Sequence, residues 1–215
     1  MKEYSYYLFD ADGTLIDTTE LIYRCFVHTC KKFNDMDVSR DEVVKNIGLT
    51  LRCQMETYFG PLTDDEFAVR AAEHMRFQLS IYPEFLRLFP TVLEGLELLH
   101  NHGKHCAIVT SRRRETLDLY LDKTGIIDFF SVFVTPENTA KHKPDPEPVI
   151  EALRLLSVGD KTEAVFIGDS SFDVECGSRA GIDTALVAWS NTDPSTLPFA
   201  PTHFIDDFTQ MCRFL

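Results

Sequence analysis

Apolar residues along this chain fall into two alternating kinds of run. Short continuous blocks at Tyr4–Phe9, His105–Thr110, Val132–Thr135, Ala164–Ile167 and Thr184–Val187 read as buried strands. Between them the apolar positions recur at three- and four-residue steps. Val92, Leu96 and Leu99 form one stripe, closed by Gly103; Leu117 and Leu121 form a second, closed by Gly125; Val149, Leu153 and Leu156 form a third. Such stripes are the core faces of amphipathic helices. Strand and helix in alternation predict the α/β class, with a parallel, Rossmann-like sheet sandwiched by helices.

One stretch breaks the alternation. From Asp17 to Phe85 the pattern is helical throughout. Asp17-Thr18-Thr19-Glu20 reads as a capping box that opens a helix with Leu21, Cys25, Cys30 and Phe33 inward, and Ser39 to Glu42 and Thr63 to Glu66 repeat the signal. Several helices between the first two strands exceed a simple crossover. The sequence therefore predicts a small α-helical cap domain at 17–85, inserted into an α/β core made of 1–16 and 86–215.

Composition narrows the function. At 215 residues, 44% hydrophobic and 26% charged, the chain suits one good core with a small appendage. No apolar run approaches the roughly 18 residues of a membrane span, and no signal peptide is expected. The six cysteines, at 25, 30, 53, 106, 176 and 212, have neither zinc-site nor disulfide-ladder spacing, which fits a cytoplasmic protein. A net charge of −13 disfavours nucleic acid as a partner. It also requires a local positive site for any anionic substrate.

Ligands of open parallel sheets bind at the carboxyl ends of the strands, and four of the five predicted strands lead into polar residues. The first ends in Asp10-Ala11-Asp12-Gly13-Thr14, two carboxylates spaced to share a face. A divalent cation relieves the repulsion between them. The dipeptide Asp12-Gly13 alone also fits an ordinary turn. The second strand runs into Thr110-Ser111 and then Arg112-Arg113-Arg114, where hydroxyls and free N–H groups can cradle a phosphate. Ser111 also fits a plain helix cap, and the three arginines a solvated face. After the third strand, the prolines of Lys143-Pro144-Asp145-Pro146-Glu147-Pro148 stiffen the backbone and aim Lys143 at the site, with Lys141 and His142 facing water. The fourth gives Gly168-Asp169 and, four residues on, Asp173.

Asp10-x-Asp12-Gly13-Thr14, Thr110, Lys143-Pro144 and Gly168-Asp169 with Asp173 and Ala180-Gly181 resemble, in order and spacing, the four signature motifs of the haloacid dehalogenase-like hydrolases. The resemblance spans Phe9 to about Asp207. A helical insert after the first motif is similar to the subfamily of phosphoglycolate phosphatases and their pyrophosphatase relatives. Two positions depart from the pattern: Ala11, where a larger apolar residue is commoner, and Thr91, where glycine often follows proline.

The resemblance implies a Mg²⁺-dependent phosphatase acting on a small phosphorylated metabolite through an aspartyl-phosphate. Asp10 would be the nucleophile. Asp12 would be general acid and then general base, protonated at the start because of neighbouring anions. Asp10, the backbone carbonyl of Asp12, and Asp169 would hold Mg²⁺ with support from Asp173, while Thr110, Ser111 and Lys143 would hold phosphoryl oxygens. The insert would close as a lid through the loop Ile47-Gly48-Leu49-Thr50-Leu51-Arg52, in which Arg52 is a candidate contact to an anionic leaving group or a surface arginine. Phosphoglycolate is the leading substrate expectation, with pyrophosphate, a sugar phosphate or a nucleotide behind it. The oligomeric state stays open between monomer and homodimer.

Asp12 disfavours the dehalogenase branch and the Schiff-base phosphonate-cleaving branch, which lack that acid. Phosphosugar mutases keep both aspartates and are not excluded. A phosphate-responsive module without turnover has no use for the full set of Asp10, Asp12, Thr110, Lys143 and Asp169.

Overall fold

The computed structural model describes residues 2–214. Among the described residues, eight strands and eight α-helices follow one another: β1 (Tyr6–Phe9), β2 (Ile16–Asp17), α1 (Thr19–Asn34), α2 (Arg40–Val44), α3 (Leu51–Phe59), α4 (Asp64–Phe85), β3 (Arg87–Leu88), α5 (Val92–Asn101), β4 (His105–Val109), α6 (Arg114–Thr124), β5 (Val132–Val134), α7 (Glu147–Leu155), β6 (Ala164–Gly168), α8 (Ser171–Ala180), β7 (Asp183–Val187) and β8 (His203–Ile205). Six strands form one sheet in the order β5-β4-β1-β6-β7-β8, every pairing parallel.

Alternation along the central strands sorts their side chains into two layers. Tyr7, Phe9, Cys106, Ile108, Val165 and Ile167 pack with the stripes of α5 and α6 on one face. Leu8, Ala107, Val109, Ala164 and Phe166 pack with α7 and α8 on the other. Both faces being covered explains why these strands read as continuous apolar runs. Phe9 is in register with Ile108 on one side and Ile167 on the other, so β1, β4 and β6 finish at one level.

Helices α1–α4 bury their own cluster, which includes Phe26, Cys30, Val43 and Met55. The capping boxes at Ser39 and Thr63 are both formed. The one expected at Asp17 is not: α1 begins at Thr19 without a side-chain cap, because Asp17 lies in β2, paired antiparallel with Arg87 of β3. Phe33 is only partly buried. β2 and β3 are the two crossings between sheet and insert, and each is too short for periodicity to register.

β8 was also silent in the sequence, being three residues at the sheet edge with Phe204 exposed. Thr110 and Thr135 lie just beyond their strands. Thr91 explains its own departure from the family pattern. Its φ of 63° is left-handed, where glycine is cheapest, and its hydroxyl compensates by accepting from Phe208 N at 3.0 Å.

Candidate active site

Because β1, β4 and β6 end level, the residues just past them converge. The carboxylates of Asp10, Asp169 and Asp173 offer oxygens all within 4.8 Å of one another. Lys143, almost wholly buried, reaches in from the loop before α7, with Nζ 2.9 Å from Asp10 Oδ1 and 2.6 Å from Asp173 Oδ1. Burial drives Lys143 toward losing its proton, but Asp10 and Asp173 outweigh that and hold its pKa above the ordinary lysine value. Burial, and then Asp173 and Asp12, push Asp10 upward, with Lys143 pulling the other way. Asp169 is likewise raised, by burial first and then by Asp173 and Asp10. Three carboxylates facing one ammonium leave negative charge in excess, and oxygen ligands at this separation suit a hard divalent cation.

Two glycines make the close approach possible. Gly13 has a φ of +83°, and a Cβ there would lie 2.3 Å from Asp169 Oδ2. A Cβ on Gly168 would lie 2.3 Å from the Cβ of Asp173. Both motif glycines are thus places where a side chain would occupy the space of a site carboxylate.

Asp173 has two functions at once. Its Oδ2 accepts from Ser170 N at 3.0 Å and from Ser170 Oγ at 2.5 Å, completing the capping box of α8, while Oδ1 takes the lysine. Asp169 is oriented by Thr14 Oγ1, which donates to Oδ1 at 3.2 Å. Its backbone carbonyl accepts from Thr192 Oγ1 at 3.0 Å and from Ser190 Oγ. Trp189 Nε1 donates to the Gly13 carbonyl at 3.0 Å. Nothing in the sequence distinguished Trp189, Ser190 or Thr192, which follow β7 by a few residues and reach the site only through the sheet order.

Asp12 departs from expectation. Its carboxylate is outside the acidic cluster and is gripped by Arg112, with Nε 2.7 Å from Oδ2 and Nη2 2.8 Å from Oδ1. Thr18 Oγ1 donates to the same Oδ1 at 2.7 Å. The immediate partners of Asp12 are therefore a guanidinium and a hydroxyl, not the anions expected to keep it protonated. Arg112 in turn corrects the reading of the three arginines as a solvated face. Its side chain is 8% exposed and lies over the Tyr120 ring at 4.3 Å, whereas Arg113 and Arg114 are about half exposed. In a run of three identical residues only the first, two after Thr110, turns inward.

Thr110 is buried at the head of β4, its Oγ1 accepting from Arg112 N at 3.2 Å. Ser111 spends its proton elsewhere. Its Oγ donates to the Gly48 carbonyl at 2.6 Å, tying the core to the insert, and it makes no cap for α6. The loop Ile47–Leu51 does face the site, since Ile47, Gly48, Leu49 and Leu51 line a cavity of about 70 Å³ with Asp10, Asp12 and Thr110. Arg52 does not reach it. It packs over the Phe67 ring, donates to the Leu62 carbonyl at 3.1 Å, and lies 2.6 Å from Asp64, so it knits α3 to the start of α4.

Known proteins resemble this chain in sequence and fold. The family model described as haloacid dehalogenase-like hydrolase matches residues 7–187. A protein named pyrophosphatase PpaX from Oceanobacillus iheyensis is 36% identical over 203 residues, covering 93% of this chain and 91% of its own. One of the same name from Bacillus pumilus is 39% identical over 184 residues, covering 85% and 82%. Among solved structures, a chain assigned to the haloacid dehalogenase-like hydrolases from Bacteroides fragilis superposes with a TM-score of 0.88 at 26% identity, covering 97% of this chain and all of that one. CbbY from Rhodobacter sphaeroides, solved with phosphate, shares the fold with a TM-score of 0.83 at 19% identity, covering 97% and 96%.

Proposed function

This chain belongs to the haloacid dehalogenase-like hydrolase family, and on that premise we propose that it is a Mg²⁺-dependent phosphatase of small phosphomonoesters, working through an aspartyl-phosphate on Asp10. The observation that carries the reading is the meeting of Asp10, Asp169 and Asp173 around Lys143 at the level strand ends.

Asp10, Asp169 and the Asp12 carbonyl would hold Mg²⁺, which supplies charge neutralisation on the transferring phosphoryl group. Asp10 attacks phosphorus through a carboxylate oxygen, and Lys143 and the Thr110 hydroxyl hold phosphoryl oxygens opposite it. Asp12 gives a proton to the leaving oxygen and later takes one from water. The proton it gives is the one taken from water in the preceding turnover, and Arg112 and Thr18 are positioning residues that hold the Asp12 side chain beside the site. Helices α1–α4 act as the lid, docked through Ser111 and Gly48.

Pyrophosphate is the second reading, supported by the PpaX relatives at 36% and 39% identity. The test of the main reading is phosphate release from p-nitrophenyl phosphate with Mg²⁺, with EDTA, and with Asp10→Asn. Release that needs the metal and falls at least a thousandfold in the variant is expected. Turnover by Asp10→Asn at the wild-type rate would overturn the nucleophile.

A further inference from the structure

The wall that the insert presents to the catalytic cavity is neutral. Ile22, Phe26, Leu49 and Leu51 give it apolar surface, and among the described residues no lysine or arginine of α1–α4 lines it. The cations on the core side are already matched: Arg112 grips Asp12, and Arg113, at the rim, lies 3.4 Å from Glu137. Three polar side chains of the insert line it, Gln54, His74 and Gln78, and the last gives its amide to the Tyr120 hydroxyl, Nε2 to Oη 2.6 Å.

The orientation of Gln54 is fixed. Its Nε2 donates to the Leu49 carbonyl at 2.8 Å, and a carbonyl can only accept, so the amide cannot be flipped. That leaves Oε1 without a hydrogen-bond partner, on a side chain more than nine-tenths buried in the cavity wall. The tautomer of His74 follows by the same accounting. Thr29 Oγ1 gives its only proton to the Cys25 carbonyl at 2.8 Å, so at 3.0 Å from His74 Nδ1 it must accept, and Nδ1 carries the hydrogen. Burial first, then Arg112 and His28, pull His74 down to about 3, so the ring is neutral near pH 7. Nε2 is then a bare lone pair. The insert therefore offers these two acceptors in a largely apolar wall, while the amide nitrogens of Gln54 and Gln78 are engaged by the Leu49 carbonyl and the Tyr120 hydroxyl.

We propose that the leaving group is an uncharged, hydroxyl-bearing one, so that the substrate is a small polyol or sugar phosphomonoester whose hydroxyl protons satisfy Gln54 Oε1 and His74 Nε2. The inference rests on the phosphatase reading above and narrows its substrate. A carboxylate or a second phosphate, as in phosphoglycolate or pyrophosphate, would meet lone pairs and apolar surface while losing its water. A hydroxyl supplies what the wall lacks. Selectivity of this kind is strong because the wrong ligand leaves buried polar groups unpaired.

The test is kcat/KM of the wild-type protein with Mg²⁺ for glycerol 3-phosphate, 2-phosphoglycolate and pyrophosphate, with p-nitrophenyl phosphate as reference. Glycerol 3-phosphate should exceed both anionic compounds at least tenfold. Equal or better turnover of 2-phosphoglycolate or pyrophosphate overturns the proposal while leaving the phosphatase reading intact; no release from any of the four overturns both. Gln54→Met keeps length and removes the acceptor. In this variant, checked for an unchanged thermal midpoint, the glycerol phosphate advantage should shrink at least fivefold, and an unchanged ratio refutes the assignment of Gln54. Should the variant fail to fold, the wild-type panel decides the matter by itself.

Discussion

The carboxyl edge of the sheet and the wall of the helical insert face the same cavity with opposite chemistry. At the edge, charge is dense and mutually dependent: Asp10, Asp169 and Asp173 surround Lys143, and Arg112 grips Asp12. Across from it, the insert presents apolar side chains, an amide oxygen and a neutral imidazole. On the proposed reading, the edge holds and transfers a phosphoryl group, a demand shared by every substrate of such chemistry, and the wall selects what is attached to it. Dividing the work this way lets one face vary without disturbing the ionic balance of the other.

If the edge is an interdependent charge cluster, removing its cation should have the largest effect. Lys143→Met leaves Asp10 and Asp173 facing each other unpaired, and uncompensated buried charge typically costs 3–5 kcal/mol. Urea unfolding at pH 7.5 without Mg²⁺ should show a loss of about that size, and saturating Mg²⁺ should restore part of it. A loss below about 1 kcal/mol would mean the cluster is not coupled.

The wall carries its own signature in pH. His74 is neutral in the folded protein, its pKa pulled to about 3, whereas an unfolded chain takes up the proton below the ordinary value of 6.5. Its contribution to stability is therefore present above pH 6.5 and is lost as pH falls from there toward 3. In that window wild type should lose about 1.4 kcal/mol per pH unit more than His74→Asn. The raised carboxylates Asp10 and Asp169 act in the opposite sense, stabilising the metal-free fold at low pH and weakening it as pH rises. Parallel stability curves for wild type and His74→Asn would show that the imidazole does not titrate as its burial requires.

The smallest effect is expected where the insert is merely scaffold. Arg52→Met removes contacts to Glu56, Asp64 and the Leu62 carbonyl, away from the cavity. Its exposed ion pairs contribute about 0–1 kcal/mol, so kcat/KM should stay within about twofold of wild type. A tenfold fall would return Arg52 to the substrate.

Legibility followed the same division. The core strands were readable because burial on both faces made them continuous apolar runs, and their polar exits because a carboxylate just past such a run is costly unless used. Asp10 and Asp169 stood out on that ground, Thr110 as a hydroxyl at a strand end, and Lys143 through the prolines that stiffen the backbone after it. Arg112 did not, since three consecutive arginines differ only in where the turn after Thr110 points each one. Gln54 and His74 did not either. They sit within helical patterns as ordinary polar positions, and their meaning comes from which atoms Leu49 and Thr29 have already engaged.

By itself the chain determined its class, its helical insertion and the acids and lysine that meet at its strand ends, because hydrophobic period and the expense of burying charge are local properties of sequence. Only the tertiary structure decided that Asp12 is gripped by Arg112, that Ser111 docks the insert, that Arg52 turns away, and that the cavity wall is an acceptor surface. Those are matters of pairing between residues up to 100 positions apart, and a partner at that distance leaves no trace in the residues beside it.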